Sequence, residues 1–216
     1  MKLSSSSDSR NTARDGSMTW LALVVALASP LPSPSPPPQH FDALISAGHE
    51  GRPASCIRFP KRHCNLGASG ERQWTPIVAD EVARALRADG FTVAREPADF
   101  DGTFEVKTAA FIHFDGNNRP CSTGASIGYH DSSSSAAARL WRGVYARYFP
   151  FRFMNDNFTD NLRDYYGFRQ VHASAGALVI ELGEITCPAQ RQWLAPRLKW
   201  EGDLIAYVLK MLIAKK

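Results

Sequence analysis

Apolar residues in this chain gather in short runs, and three of the runs stop on residues capable of chemistry. Phe41–Ser46, "FDALIS", leads into Gly48, His49, Glu50 and Gly51. "AAFI", Ala109–Ile112, stops on His113, and "ALVIEL", Ala177–Leu182, carries Glu181 near its end. Phe91–Ala94 and Ala125–Tyr129 are two lesser runs. Runs that stay apolar at successive positions, rather than alternating, belong to strands buried on both faces.

Between these runs the period lengthens to that of a helix. Thr75 and Pro76 offer an N-cap and a first helical position; Val78, Val82, Ala85 and Leu86 make an apolar face; Gly90 closes it. Ser132–Ser135 opens a second helix that runs to Tyr148, with Trp141, Tyr145 and Tyr148 on its sheet-facing side. Leu204, Ile205, Val208, Leu209, Leu212 and Ile213 stripe a last helix over residues 202–215. Alternating strands and helices predict an α/β fold of three layers, a mostly parallel central sheet with helices on both faces. Residues 47–74 read as a long loop. Residues 149–170 are rich in aromatics and show no clear period, which admits a sugar-stacking groove as well as core packing.

Composition changes the picture at the N-terminus. Residues 1–17 are polar and serine-rich, with Lys2, Arg10 and Arg14, and "LALVVALA" follows at Leu21–Ala28. That run is far shorter than the ~20 residues of a membrane span. A basic start, a short apolar centre and an Ala-Leu-Ala exit read as a secretory signal over residues 1–28; a disordered tail is the alternative. "PLPSPSPPPQ" makes 29–40 a stiff proline-rich linker, and 41–216 the folded domain. Export suits the four cysteines, an even number. Cys56 with Cys64, inside one loop, and Cys121 with Cys187, between two loops, is the favoured pairing. A zinc site of Cys56, His63 and Cys64 is the rival, and it lacks a C-x-x-C pair. The net charge of +4 is spread along the chain. This leaves no concentrated footprint for nucleic acid, and the shortness of the Leu21–Ala28 run argues for no stable membrane span.

In parallel sheets, ligands gather beyond the carboxyl ends of the strands. His49, His113 and Glu181 would therefore share one rim. Zinc hydrolases use three protein ligands and leave a fourth position to water. His49 and His113 supply imidazoles, and Glu71, after the flexible "LGASG", supplies a carboxylate. Glu181, emerging from an apolar run, suits a general base, with Glu184 as the alternative base. Asn117 and Arg119 are candidates for holding substrate carboxylates, or else belong to a solvated loop. Each residue also has a plainer reading: a turn histidine, a buried histidine, a helix-start carboxylate, an ion-paired glutamate. No G-x-S-x-G elbow, P-loop or dinucleotide fingerprint is present.

Four segments in order resemble the zinc-dependent N-acetylmuramoyl-L-alanine amidases of the type 3 class. "SAGHEG" stands for the family's Gly-His-Gly-Gly-like turn, "GASGERQW" for its glutamate before the first long helix, "AAFIHFDGN" for its Ser-x-His-x-Asn strand end, and "LVIELGEITCP" for its Glu-x-Gly-Phe strand. Departures are Glu50 at the usual second glycine, Phe111 for Ser, Asp115 for Asn, Glu184 for Phe, and Thr186 and Cys187 for Ser-Asn. The resemblance covers residues 41–216. It implies one Zn2+ held by His49, Glu71 and His113, Glu181 as catalytic carboxylate, and cleavage of the amide joining N-acetylmuramic acid to L-alanine in peptidoglycan. An exported, wall-associated monomer is the expectation. Alternatives are a related zinc amidohydrolase on another peptide-like substrate and a non-catalytic cell-wall-binding module. A zinc carboxypeptidase would need His-x-x-Glu, and Arg52 occupies that position.

Overall fold

The computed structural model describes residues 37–58 and 64–214. The signal reading (1–28), most of the linker reading (29–36) and His63 lie outside them. In chain order the elements are β1 Gln39–Ala47, α1 Glu71–Ala88, β2 Val93–Glu96, β3 Phe104–Asp115, β4 Ser126–Gly128, α2 Ser132–Tyr145, α3 Asp160–Arg163, β5 Val171–Ala173, β6 Ala177–Glu184, α4 Pro188–Leu194 and α5 Leu198–Ile213. A 3-10 turn spans Ala54–Arg58 and another Tyr166–Arg169.

The sheet has six strands in the order β2-β1-β3-β6-β4, with β5 beside the first half of β3. All pairings are parallel except β4 with β6. The expected mostly parallel α/β architecture is what the chain adopts. Side chains alternate across each strand. Ala43, Ile45 and Ala47 of β1, Ala110, Ile112 and Phe114 of β3, and Leu178, Ile180 and Leu182 of β6 pack under α1, α2, α4 and α5. The intervening residues Leu44, Ala109, Phe111 and Val179 face a smaller cluster roofed by Leu162 of α3, Tyr165 and Phe168. Helices therefore cover both faces unequally. Trp141 and Tyr145, fully buried in the larger cluster, each contribute about 1.5–3 kcal/mol through burial.

Several elements differ from their sequence expectation. α1 begins at Glu71, four residues before Thr75. Thr75 is not a cap: its hydroxyl donates to the Gly48 carbonyl at 2.7 Å, tying the helix to the exit of β1, and Pro76 lies inside the helix. α5 begins at Leu198, and Gly202 is interior to it. A Cβ at Gly202 would fall 2.6 Å from Glu81 Cβ, so this glycine lets α1 and α5 approach closely. α2 ends at Tyr145, which leaves Tyr148 53% exposed rather than packed on the sheet. β3 runs well beyond 109–112, and β1 starts at Gln39, taking in the last two residues of the segment read as linker.

Candidate metal centre and active site

The three central strands deliver their ends to one rim. Gly48 N–H donates to the Ile112 carbonyl at 2.8 Å, which sets the His49 turn directly beside β3. His113 of β3 pairs in register with Glu181 of β6. By strand alternation, His113 shares a face with Phe111, and Glu181 with Val179. Both side chains thus fall on the thinly covered side of the sheet. Glu71 arrives from the other direction as the first residue of α1.

His49, Glu71 and His113 converge. His49 Nε2 and His113 Nδ1 lie 3.3 and 3.1 Å from one oxygen, Glu71 Oε1. The three ligand atoms fall within 4.8 Å of one another, and all three residues are buried. The other nitrogen of each ring is engaged elsewhere: His49 Nδ1 is 3.0 Å from the Asn65 carbonyl, and His113 Nε2 is 3.1 Å from the Tyr165 hydroxyl. One nitrogen of each ring thus faces the same carboxylate oxygen at hydrogen-bond distance, so a cation placed there would meet two imidazole nitrogens and a carboxylate. Two imidazoles and a carboxylate, each oriented by a second hydrogen bond, are a donor set that zinc takes.

The backbone is shaped around this cluster. His49 has φ 62°, a left-handed conformation uncommon for a non-glycine residue and concentrated at functional sites. A Cβ at Gly48 would lie 2.3 Å from the His113 ring, and one at Gly67 would lie 2.1 Å from Glu71 Oε2. The two glycines are the walls of the cradle. Glu71 accepts further hydrogen bonds from the Ala68 and Phe114 N–H groups. Burial pushes its carboxyl up, but hydrogen bonds and charge from His113 and His49 outweigh this and hold it at about 2. Burial lowers the pKa of His113, which favours the neutral, ligating form.

Two clefts, of about 460 and 610 Å³, meet at this cluster and share His49, Asn65, Asp115, Asn161 and Glu181. Glu181 Oε2 is a buried oxygen with no hydrogen-bond partner among the described residues. Burial first, then the carboxylates of Glu71 and Asp115, push its pKa well above the usual range. Glu184 lies beyond Gly183 and is fully buried. Its oxygens accept from Cys121 N–H, Thr123 N–H and both the Thr123 and Thr186 hydroxyls. Burial would raise its pKa, but these donors more than offset that and lower it. Glu184 is an engaged anion that fastens the rim loop, and neither cleft includes it.

Asn117 lines the smaller cleft; its N–H donates to the Thr186 hydroxyl and its side-chain oxygen accepts from the Arg119 N–H, both at 3.0 Å. Arg119 is exposed and lines neither cleft. Disulfides join Cys56 to Cys64 and Cys121 to Cys187, as favoured from sequence, so neither Cys56 nor Cys64 is a thiolate ligand. The Cys121–Cys187 bridge ties the β3–β4 loop to the start of α4, next to Glu184. Sequence reading did not single out Asn65, Tyr165, Tyr166 or the structural part of Arg52. The last three lie beneath the thin face, where Thr159–Arg169 walls the larger cleft.

No family model and no curated protein matches this chain. Solved structures do. An N-acetylmuramyl-L-alanine amidase from Mycobacterium smegmatis superimposes with a TM-score of 0.62 at 16% identity, over 81% of this chain and 97% of that one. The N-acetylmuramoyl-L-alanine amidase from Clostridium difficile 630 gives 0.53 at 16%, over 82% and 95%. The fold is that of N-acetylmuramoyl-L-alanine amidases. Cwp6 from Clostridium difficile shares it, with a TM-score of 0.58 at 18% identity; this chain is matched over 83% of its length but spans only 30% of Cwp6. Within this amidase fold, the His49–Glu71–His113 cluster sits at the carboxyl rim. Among the described residues, no helix is long and apolar enough to cross a membrane.

Proposed function

We propose that this chain is a zinc-dependent peptidoglycan hydrolase that cleaves the amide between N-acetylmuramic acid and L-alanine, working outside the cytoplasm at the cell wall. One observation carries the reading: two outward-bonded imidazoles and a buried carboxylate converge beside a glutamate that faces a cleft. The likeness of the fold to solved amidases of that bond supports the choice of substrate.

His49, Glu71 and His113 would hold the ion. Zinc held there would supply a water of lowered pKa, near 7, and polarise a carbonyl. Glu181 does the proton work. It takes the proton of the attacking water and returns it to the leaving nitrogen, so that the amide yields a lactyl carboxylate and a free amine. Burial and the carboxylates of Glu71 and Asp115 raise its pKa, and a divalent ion held by His49, Glu71 and His113 would lower it again, favouring the carboxylate that accepts a proton. Asn117 stands at the mouth of the smaller cleft, where its side-chain amide can meet a peptide carboxylate or carbonyl; Arg119 orders that loop through its backbone N–H.

Mass analysis of digested peptidoglycan tests the reading. Free stem peptides beginning with L-alanine are expected, lost on chelation and restored by zinc. Fragments cut elsewhere in the peptide would favour a different zinc amidohydrolase. Wall binding without cleavage would favour a non-catalytic module.

A further inference from the structure

Arg52 is a buried guanidinium; its side chain is only 3% exposed. Its Nε and Nη2 grip both oxygens of Asp99, at 3.0 and 2.8 Å. That two-pronged bond fixes where the remaining hydrogens point. Nη1 donates to the Asn65 carbonyl at 3.0 Å, the same oxygen that lies 3.0 Å from His49 Nδ1. Nη2 also donates to the Tyr166 hydroxyl at 3.1 Å. From there hydroxyls lead to the other histidine. Tyr165 Oη is 3.2 Å from Tyr166 Oη and 3.1 Å from His113 Nε2.

The ends of this chain dictate its direction. A guanidinium can only donate and a carbonyl can only accept. The Ala98 carbonyl takes the single hydroxyl hydrogen of Tyr166. Tyr166 therefore accepts from Tyr165. Tyr165, having given its hydrogen, accepts from His113 Nε2–H. This leaves the His113 lone pair on Nδ1, toward Glu71. In the other arm, the Asn65 carbonyl has two lone pairs: one meets Arg52 Nη1–H, the other His49 Nδ1–H, and Arg52 Nη1 itself lies 3.2 Å from His49 Nδ1. A proton held on Nδ1 by that carbonyl leaves Nε2 as the nitrogen that would face a cation.

We propose that Arg52 is a positioning residue for both metal-ligating histidines, one buried guanidinium fixing the outer hydrogen bond of His49 through Asn65 and that of His113 through Tyr166 and Tyr165. This rests on the reading of His49, Glu71 and His113 as a zinc site. Lysine cannot replace it, because a point ammonium lacks the planar fork that reaches Asp99, Asn65 and Tyr166 together.

The test pairs zinc affinity with imidazole nitrogen spectra in the wild type, Arg52→Gln, Arg52→Lys and Tyr165→Phe. Affinity is read by competition with a chromophoric chelator, and melting of the zinc-free proteins reports folding. The wild type binds one zinc, with the proton of His49 on Nδ1 and that of His113 on Nε2. Both Arg52 variants lose about 10–100-fold in affinity, the usual cost of losing an outer partner of a ligand. Tyr165→Phe exposes His113 Nε2–H to faster solvent exchange and leaves the His49 signals as in the wild type. If the Arg52 variants do not fold, Tyr165→Phe decides, and an unchanged His113 spectrum overturns the proposal. Folded Arg52 variants with wild-type affinity and wild-type spectra also overturn it. A wild type that binds no zinc overturns the metal reading, and the proposal with it; a wild type that binds zinc beside indifferent variants overturns the Arg52 proposal alone.

Discussion

Two glutamates, one half-buried at the carboxyl rim and one buried inside the helical layer, teach where chemistry resides in this molecule. Glu201 of α5 is fully buried, and burial, only partly countered by Tyr145 and Arg197, pushes its pKa up to about 8. The Tyr145 hydroxyl lies 2.7 Å from the Leu182 carbonyl and 3.1 Å from Glu201 Oε1, its one hydrogen serving both acceptors. Glu181 is moved in the same direction by the same cause. Yet Glu201 faces only packed side chains and no substrate, whereas Glu181 opens onto two clefts beside three ligand atoms. A raised pKa is thus a consequence of burial. Access and companions turn it into a candidate for catalysis.

The sharpest way to break this contrast is to neutralise each glutamate in turn. Glu181→Gln should cut peptidoglycan hydrolysis by about 10²–10⁴-fold while zinc still binds; Glu201→Gln should leave turnover close to that of the wild type. An active Glu181→Gln enzyme would remove the distinction. The second effect is on stability. The pKa of Glu201 is higher folded, about 8, than its ordinary 4.5, so the folded state keeps a proton that the unfolded chain releases. Wild-type stability must then fall as pH rises from 4.5 through 8, by on the order of 3–5 kcal/mol. Melting curves across that range should show Glu201→Gln lacking this loss, its advantage over the wild type growing with pH.

Smaller effects refine the rim itself. Gly67→Ala would put a Cβ against Glu71 and force an L side chain to φ +70°; a destabilisation of about 2–4 kcal/mol and weaker zinc binding should appear in melting and titration. Glu184→Gln removes the anion that gathers Cys121, Thr123 and Thr186. It should cost about 1–2 kcal/mol and raise KM more than it lowers kcat, whereas Glu181→Gln acts on kcat. A large fall in kcat for Glu184→Gln would return it to the role of base.

The strands and the rim histidines were legible because tertiary burial imposes unbroken apolar runs, and His49, His113 and Glu181 stand where those runs stop. The start of α1 was not. Gly70, left-handed and without a capping side chain, precedes Glu71, while Thr75-Pro76 imitates a helix start inside the helix. Gly202 imitated a boundary for a similar reason: its lack of a side chain serves the contact with α1, not the end of a helix. Arg52, Tyr165 and Tyr166 were invisible as a group because their hydrogen bonds connect loops that no periodicity relates. Arg52 and Tyr166 are 114 residues apart. Glu184 read as a second carboxylate of β6, and only the positions of Cys121, Thr123 and Thr186 distinguish its duty from that of Glu181.

X-ray absorption by zinc-loaded protein tests the ligand set most directly. The first shell should hold only nitrogen and oxygen at about 2.0–2.2 Å, with two imidazole signatures, one of which disappears in His113→Ala. Sulfur in the first shell, or an imidazole count unchanged by that substitution, would contradict a centre built from His49, Glu71 and His113.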